Sequence, residues 1–368
     1  MNGLFRILLI SYFFQSIYCF NCLNENGDSV DYWVILKKPK GTEYFYYDSN
    51  EKIFNISPYS LNDTKNGALT HTINQLWLNN INYIIYNDQI PNKYQLKKND
   101  IINNIFNNTY KFKSEFNDDN NYVNKTATSF GHTKGLFAFY NDYSHDSDSG
   151  FWITHSIPLF PVGPKNTNKY LGLGSNAYTY AQHLLCLSLN TQTLNSISNK
   201  FLLNRPQIYE YSINTNKYEY INDLINEKFS DKNICDSEIL QSIGGFSFKL
   251  YAKSAEWNND LYSECITPSE SDTLLVESWI RGSAEGPICP ITKFDTLDIK
   301  YLDFGNNNNW SETNDHSKWA ITMNNNIICM GDINRMTTQY LRGGGSTCFN
   351  DSILHDILKT AIKETDKC

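Results

Sequence analysis

Residues 130–155 read FGHTKGLFAFYNDYSHDSDSGFWITH, and residues 315–330 read DHSKWAITMNNNIICM. The first stretch opens on Gly131-His132-Thr133-Lys134-Gly135, the second on Asp315-His316-Ser317-Lys318-Trp319. Each then runs apolar, turns, and runs apolar again. Leu136 to Tyr140 and Phe151 to His155 flank the turn-rich Asn141 to Gly150, which predicts a hairpin. Trp319 to Met323 and Ile327 to Met330 flank Asn324–Asn326, which predicts another. One His-x-Lys is commonplace. The same motif ahead of two hairpins predicts two related lobes, each bringing one His and one Lys.

Outward from these stretches, Val30 to Leu36 and Glu43 to Tyr47 read as strands, as do Phe246 to Tyr251 and Thr273 to Trp279. Thr70 to Leu78 reads as a short helix, and Tyr178 to Leu189 as another. Residues 98–126, rich in Asn and Lys, read as a surface insertion, and 206–235 as polar with short helical stretches. Ile353, Leu354, Ile357, Leu358 and Ile362 recur at helical spacing, so the chain is expected to close with an amphipathic helix. No Pro- or Gly-rich linker divides the halves. The seam is expected near 200–210, giving lobes at 20–205 and 206–368.

The chain has 368 residues, enough for a large core, with 14% aromatic residues and only 19% charged ones, so a folded chain is the default. The net charge of -8 argues against nucleic acid as partner at neutral pH. In acid the objection weakens, because charging all seven histidines brings -8 to -1 before any carboxylate titrates.

Arg6 followed by the apolar Ile7 to Phe14 reads as a secretory signal peptide over residues 1–19, too short to span a membrane. No later run reaches spanning length. Of nine cysteines, Cys19 would leave with the signal. The remaining eight, Cys22, Cys186, Cys235, Cys265, Cys289, Cys329, Cys348 and Cys368, imply four disulfides whose pairing spacing cannot choose. Sequons at Asn55, Asn62, Asn107, Asn124, Asn309 and Asn350 agree with the secretory route.

In an extended segment, residues two apart share a face, so His and Lys of each motif project together. An imidazole can attack phosphorus or pass a proton, while an ammonium holds phosphate oxygens. Two such pairs meeting at a lobe interface suit phosphodiester cleavage without a metal. One His would form a phospho-histidine. The other would protonate the leaving oxygen and then activate water. The choice of nucleophile stays open, leaning to His132. His155 is expected either in support or as a core histidine; His71, His145, His183 and His355 show no partner signature. Metal and nucleotide signatures are missing: there is no H-E-x-x-H, no EF-hand loop and no P-loop. No cofactor is expected. Arg342-Gly343-Gly344-Gly345 could form an anion nest or merely a tight turn. Trp152, Trp279 and Trp319 could line the site or pack the core.

These residues sit within a longer ordered set: Ser29-Val-Asp-Tyr-Trp33 with Lys37-Lys-Pro39, Gly150-Phe-Trp-Ile-Thr-His-Ser-Ile-Pro158, Gln182-His-Leu-Leu-Cys186 and Glu277-Ser-Trp279. The set continues with Cys329-Met-Gly-Asp-Ile-Asn-Arg335 and Arg342-Gly-Gly-Gly-Ser-Thr-Cys348, around the second His-x-Lys. It spans the mature chain and resembles the deoxyribonuclease II family. Ala181 stands where the family pattern has Gly. The resemblance implies an α/β, phospholipase-D-like pseudo-dimer of two mixed-sheet lobes with flanking helices. It implies metal-independent acid cleavage of DNA to 3′-phosphate ends. Carried over by motif, His132, Lys134, His316 and Lys318 are catalytic with His155 in support; Asn334 and Arg342 are expected to contact phosphate. The family pattern pairs Cys22 with Cys186, Cys289 with Cys368 and Cys329 with Cys348, which leaves Cys235 for Cys265. A lysosomal or secreted endodeoxyribonuclease is therefore the expectation, with DNA as substrate, no membrane insertion and a homodimer left open. The rivals are a lipid phosphodiesterase on the same fold, and a glycosylated DNA-binding or adhesion protein that has lost catalysis.

Overall fold

The computed structural model describes residues 20–91, 130–140, 148–291 and 293–368. The signal segment, the 98–126 insertion with Asn107 and Asn124, and His145 lie outside the described residues.

The first sheet is built from β1 (Tyr32–Lys37), β2 (Tyr44–Asp48), β3 (Asn55–Ile56), β4 (Ile81–Asn87), β5 (Lys134–Tyr140), β6 (Ser149–His155), β7 (Gln182–Leu189) and β8 (Ile208–Ser212). Its eight strands run in the order β3-β2-β1-β7-β6-β5-β4-β8, all antiparallel. Helix α1 (Ala68–Asn74) falls within it, and α2 (Thr191–Asn204) and α3 (Glu219–Ile225) flank β8 in the chain.

The second sheet holds β9 (Cys235–Gln241), β10 (Ser247–Lys253), β11 (Leu274–Ser278), β12 (Thr296–Asp303), β13 (Asn309–Ser311), β14 (Lys318–Thr322), β15 (Ile327–Gly331), β16 (Gly344–Asn350) and β17 (Ile362–Thr365). Its nine strands run β13-β12-β11-β14-β15-β16-β10-β9, with β17 on β12. The short α4 (Thr267–Glu270) precedes β11, and α5 (Ser352–Ala361) follows β16. The fold is thus α/β with two sheets and few helices, and β8 carries the first sheet past residue 205.

The two sheets share a topology. The run β1-β7-β6-β5-β4 matches β10-β16-β15-β14-β11 in spatial order, in chain order and in antiparallel sense. Following the registers, Lys134 falls on Lys318, Asn87 on Ser278, Gln182 on Gly344 and Lys37 on Lys253.

Strand alternation explains how the halves join. In β1, Tyr32, Val34 and Leu36 enter a core shared by both sheets, while Trp33 and Ile35 enter one confined to the first half. In β14, Trp319 and Ile321 face the shared core and Ala320 the outer core of the second half. Leu194, Ile197 and Phe201 of α2 fill the shared core between the sheets. Strands buried on both faces read as unbroken apolar runs, which is why Val30–Leu36 was legible.

The same property corrects one expectation. Tyr178–Leu189 is not a helix: Leu184 to Leu187 lie in the central strand β7, fully buried on both faces. A short apolar run bears no period that separates a two-face-buried strand from a buried helix. At the other end α5 forms, but the strand β17 follows it and closes the second sheet. Four disulfides brace the halves: Cys22–Cys186, Cys235–Cys265, Cys289–Cys368 and Cys329–Cys348.

Candidate active site

His132 and Lys134 lie where the chain enters β5, and His316 and Lys318 where it enters β14. Each entry segment is stitched to the opposite half. His132 N–H donates to Gly343 O at 2.8 Å, and His316 N–H donates to Ala181 O at 2.9 Å. Gly343 and Ala181 immediately precede the equivalent strands β16 and β7, so the two bonds are counterparts. Lys318 N–H adds a third, donating to His183 Nδ1 at 3.0 Å.

The glycines serve this closeness. A Cβ on Gly131 would sit 2.1 Å from Asn204 O and 2.8 Å from Gly343 O. Gly343 has the same neighbour: a Cβ there would lie 2.3 Å from Asn204 O. The Arg342-Gly-Gly-Gly run is therefore a close-packed strand entry. Gly343 O faces His132, and Gly344 and Gly345 pair with Lys253 and Ala252 of β10, so the anion-nest reading does not apply.

His132, Lys134 and Lys318 are buried and His316 is half-buried, and their charges act on one another across the seam. His132 is held well below its ordinary pKa by burial, then by Lys134, Arg342, Lys318 and His316. His316 is lowered by burial, Lys318 and Lys134, against an opposing pull from Ser156 and Asp88. Burial and Lys134 push Lys318 well below its usual value. Burial lowers His155 strongly, with Lys134 and His183 adding to it. The structure thus brings His132, Lys134, His155, His316 and Lys318 within electrostatic reach of one another.

Hydrogen bonds select tautomers. His316 Nδ1 lies 3.2 Å from Ser156 O, 3.3 Å from Gln182 Oε1 and 3.1 Å from Lys318 Nζ. Two of these three are acceptors, which favours a proton on Nδ1 and a lone pair on Nε2. His155 Nδ1 accepts from Ile157 N–H at 3.1 Å, which puts the proton on Nε2. That Nε2 is buried with no protein partner among the described residues. His183 has the same arrangement, and burial, Lys318 and Lys134 lower it to about 3. Its signal was faint in the sequence, because a His inside an apolar strand reads as core.

Asp88, one residue beyond β4, was also missed. Its carboxylate takes Lys134 Nζ on one oxygen and Arg342 Nη2 at 3.0 Å on the other, with His132 Nε2 at 3.7 Å. Arg342 Nη2 also reaches Gly131 O at 3.3 Å. The equivalent place beyond β11 holds Trp279, whose ring lies edge-on to His316 at 5.0 Å between centroids. Tyr180 packs on Trp279 at 4.3 Å, and the exposed Arg281 lies over both rings, at 4.5 Å from Trp279 and 5.7 Å from Tyr180. The halves match in backbone and differ here: a carboxylate beside one histidine, an indole beside the other.

Of the other expected residues, Asn334 is buried, its Oδ1 without a partner among the described residues, and its sequence neighbour Arg335 binds Asp298 through Nη1 at 2.6 Å. Trp152 donates to Tyr86 Oη at 2.9 Å, and Trp319 is core. His355 bonds Thr322 O at 2.8 Å and His71 bonds Asn24 O at 3.1 Å. Asn55, Asn309 and Asn350 are exposed; Asn62 spends its amide on Tyr178 and the Leu173 N–H. Among the described residues, Cys289, Asp295 and Cys368 form the group spaced for a metal, and both thiols are bound in a disulfide. No helix among the described residues is long and apolar enough to cross a membrane.

A family model described as Deoxyribonuclease II matches residues 21–368. The chain is similar to Deoxyribonuclease-2 of Caenorhabditis elegans, at 32% identity over 365 residues, covering 92% of each chain. It is also similar to a Putative deoxyribonuclease-2 of Burkholderia thailandensis, at 32% over 371 residues, covering 93% of this chain and 91% of that one. Deoxyribonuclease-2-alpha of Sus scrofa is 26% identical over 386 residues, covering 100% of this chain and 96% of that protein.

Proposed function

The chain belongs to the deoxyribonuclease II family, and we propose that this deoxyribonuclease cleaves DNA in acid, without a metal ion, through a covalent phospho-histidine. The single observation that supports this most is the pair of matching cross-seam bonds, His132 N–H to Gly343 O and His316 N–H to Ala181 O, which bring two imidazole–ammonium couples together at the seam.

In the first step one imidazole nitrogen attacks phosphorus, the P–N bond forms and the P–O5′ bond breaks. The second histidine, as imidazolium, gives its proton to the departing O5′. Now neutral, it takes a proton from water, whose oxygen attacks phosphorus as the P–N bond breaks. A 3′-phosphate leaves, and both histidines return to their starting forms. DNA has no 2′-hydroxyl to act as an internal nucleophile, so a nucleophile from the protein meets a chemical need.

Lys134, Lys318 and Arg342 supply the positive field that builds against the phosphoryl oxygens. Asp88 holds Lys134 and Arg342 in place, which supports a role for Arg342 beside the phosphate. The depressed histidine pKa values set the pH sense. One imidazole must be protonated, and groups held well below 6.5 take up that proton only in acid. Activity is therefore low at neutral pH and rises as pH falls. The matching five-strand runs support a phospholipase-D-like pseudo-dimer with the site between its halves. The leader-like residues 1–19 and the disulfides support a route through the secretory pathway to lysosomes or outside the cell.

The test is plasmid nicking at about pH 5 in EDTA by the wild type, His132→Ala and His316→Ala, with end-group analysis. The expected result is EDTA-resistant wild-type activity with 3′-phosphate ends and loss in both variants. Wild-type rates in either variant would overturn the mechanism, and abolition by EDTA would return the reaction to a metal.

A further inference from the structure

Two buried lysines outside the His-x-Lys motifs are counterparts in the two halves. Lys37 is the last residue of β1 and Lys253 the last of β10. Lys37 pairs with Gln182, the first residue of β7, and Lys253 with Gly344, the first residue of β16. Both are 0% exposed. Neither forms an ion pair with a described carboxylate; both spend their ammonium on backbone carbonyls. Lys37 Nζ donates to Lys38 O at 2.7 Å, Gly41 O at 2.8 Å and Tyr178 O at 3.4 Å. Lys253 Nζ donates to Tyr340 O at 2.8 Å.

The shared acceptors occupy the same place. Tyr178 stands three residues before Ala181, and Tyr340 three residues before Gly343. Ala181 O and Gly343 O are the carbonyls that receive the His316 and His132 N–H groups from across the seam. We infer that Lys37 and Lys253 are paired positioning residues: each ties down the segment whose carbonyl holds the opposite half's catalytic histidine, Lys37 acting on His316 and Lys253 on His132.

Asp315 acts on Lys37 and Asp260 on Lys253 only from beyond contact distance; burial of an ammonium without a contacting carboxylate is costly, and a chain needing only a filled core would place an apolar residue there. Burial lowers both lysines to about 8, so at acid pH both stay charged and keep all their N–H donors. A fixed ammonium gives the turn a rigid, directional anchor where a methionine would give contact alone. Displacement of a catalytic group by about 1 Å can cost about 100-fold in rate, so a loosened carbonyl is felt at the histidine.

This inference rests on the proposed roles of His132 and His316, and its test separates the two. Lys37→Met and Lys253→Met are compared with His316→Ala and His132→Ala on plasmid DNA and on a thymidine 3′-(4-nitrophenyl phosphate). The aryl ester has a good leaving group and dispenses with the general acid, so the two histidine variants differ on it. The expected result is a fall in kcat on DNA of about 10- to 100-fold with KM within about twofold. On the aryl ester, Lys37→Met follows His316→Ala and Lys253→Met follows His132→Ala. Folded Met variants with wild-type kcat, or variants that share one pattern regardless of partner, would overturn the inference. Histidine variants with wild-type rates would instead overturn the mechanism. If the Met variants do not fold, Lys37→Gln and Lys253→Gln, which keep one N–H donor direction, take their place. Wild-type rates on both substrates in those variants would overturn it equally.

Discussion

Arg342 Nη2 from the second half lies 3.0 Å from Asp88 Oδ2 in the first, while the other oxygen of that carboxylate holds Lys134. Burial alone would raise Asp88; Lys134 and Arg342 outweigh it and hold the group below the usual carboxylate range. One anion therefore stays ionised in acid and anchors a cation from each half beside His132.

Asp88→Asn should strip that anchor. Leaving the buried Lys134 and the half-buried Arg342 without their anion is expected to cost about 3 kcal/mol of stability, read by urea unfolding at acid pH. Asp88 also raises the pKa of His316 and His155, so its loss should move the activity optimum to lower pH. An unchanged pH–rate profile would count against this account.

His183→Ala removes the acceptor for Lys318 N–H. A buried N–H left unpaired costs about 1–3 kcal/mol, and the entry to β14 carries His316 and Lys318. We expect a lower melting temperature together with a fall in kcat at unchanged KM. His183→Asn, which can still offer an acceptor, should restore part of both.

Arg281→Ala should act on binding. Arg281 is exposed and stacked on Trp279 and Tyr180 beside His316. If it meets a flanking phosphate, KM for DNA rises with kcat unchanged, and the slope of log K against log salt falls by about one. A salt series on duplex binding by a catalytically silent variant checks it.

Glu277→Gln should change how stability depends on pH. Glu277 is fully buried, neither carboxyl oxygen has a partner among the described residues, and burial raises its pKa well above 4.5, with Asp315 and Glu312 adding to it. The folded state keeps the proton that the unfolded state gives up above about 4.5. Its contribution is complete below that pH and is lost as pH rises toward the folded value. Gln has no such dependence, so the variant should gain in melting temperature over the wild type at pH 7 and lose that advantage near pH 4. A difference independent of pH would sink the assignment.

The hairpins, the strands at β1 and β10, and the His-x-Lys echo were all visible in the amino-acid order, because alternation and turn residues are local properties. β7 was not. Its Leu-Leu-Cys-Leu run is apolar on both faces, and only the neighbours β1 and β6 decide that it extends. Asp88 and His183 escaped for a related reason: their roles come from Lys134, Arg342 and Lys318, which lie 46, 254 and 135 residues away.

The order of residues alone determined the two-fold repeat of chemistry, because His and Lys two apart in an extended segment must project together. Tertiary structure alone decided what surrounds each couple. The match between Lys37 and Lys253, and the difference between Asp88 beside His132 and Trp279 beside His316, exist only through strand register. Electrostatic and hydrogen-bond energies depend on separation in space, and the chain brings these groups together only when both sheets close on their shared core.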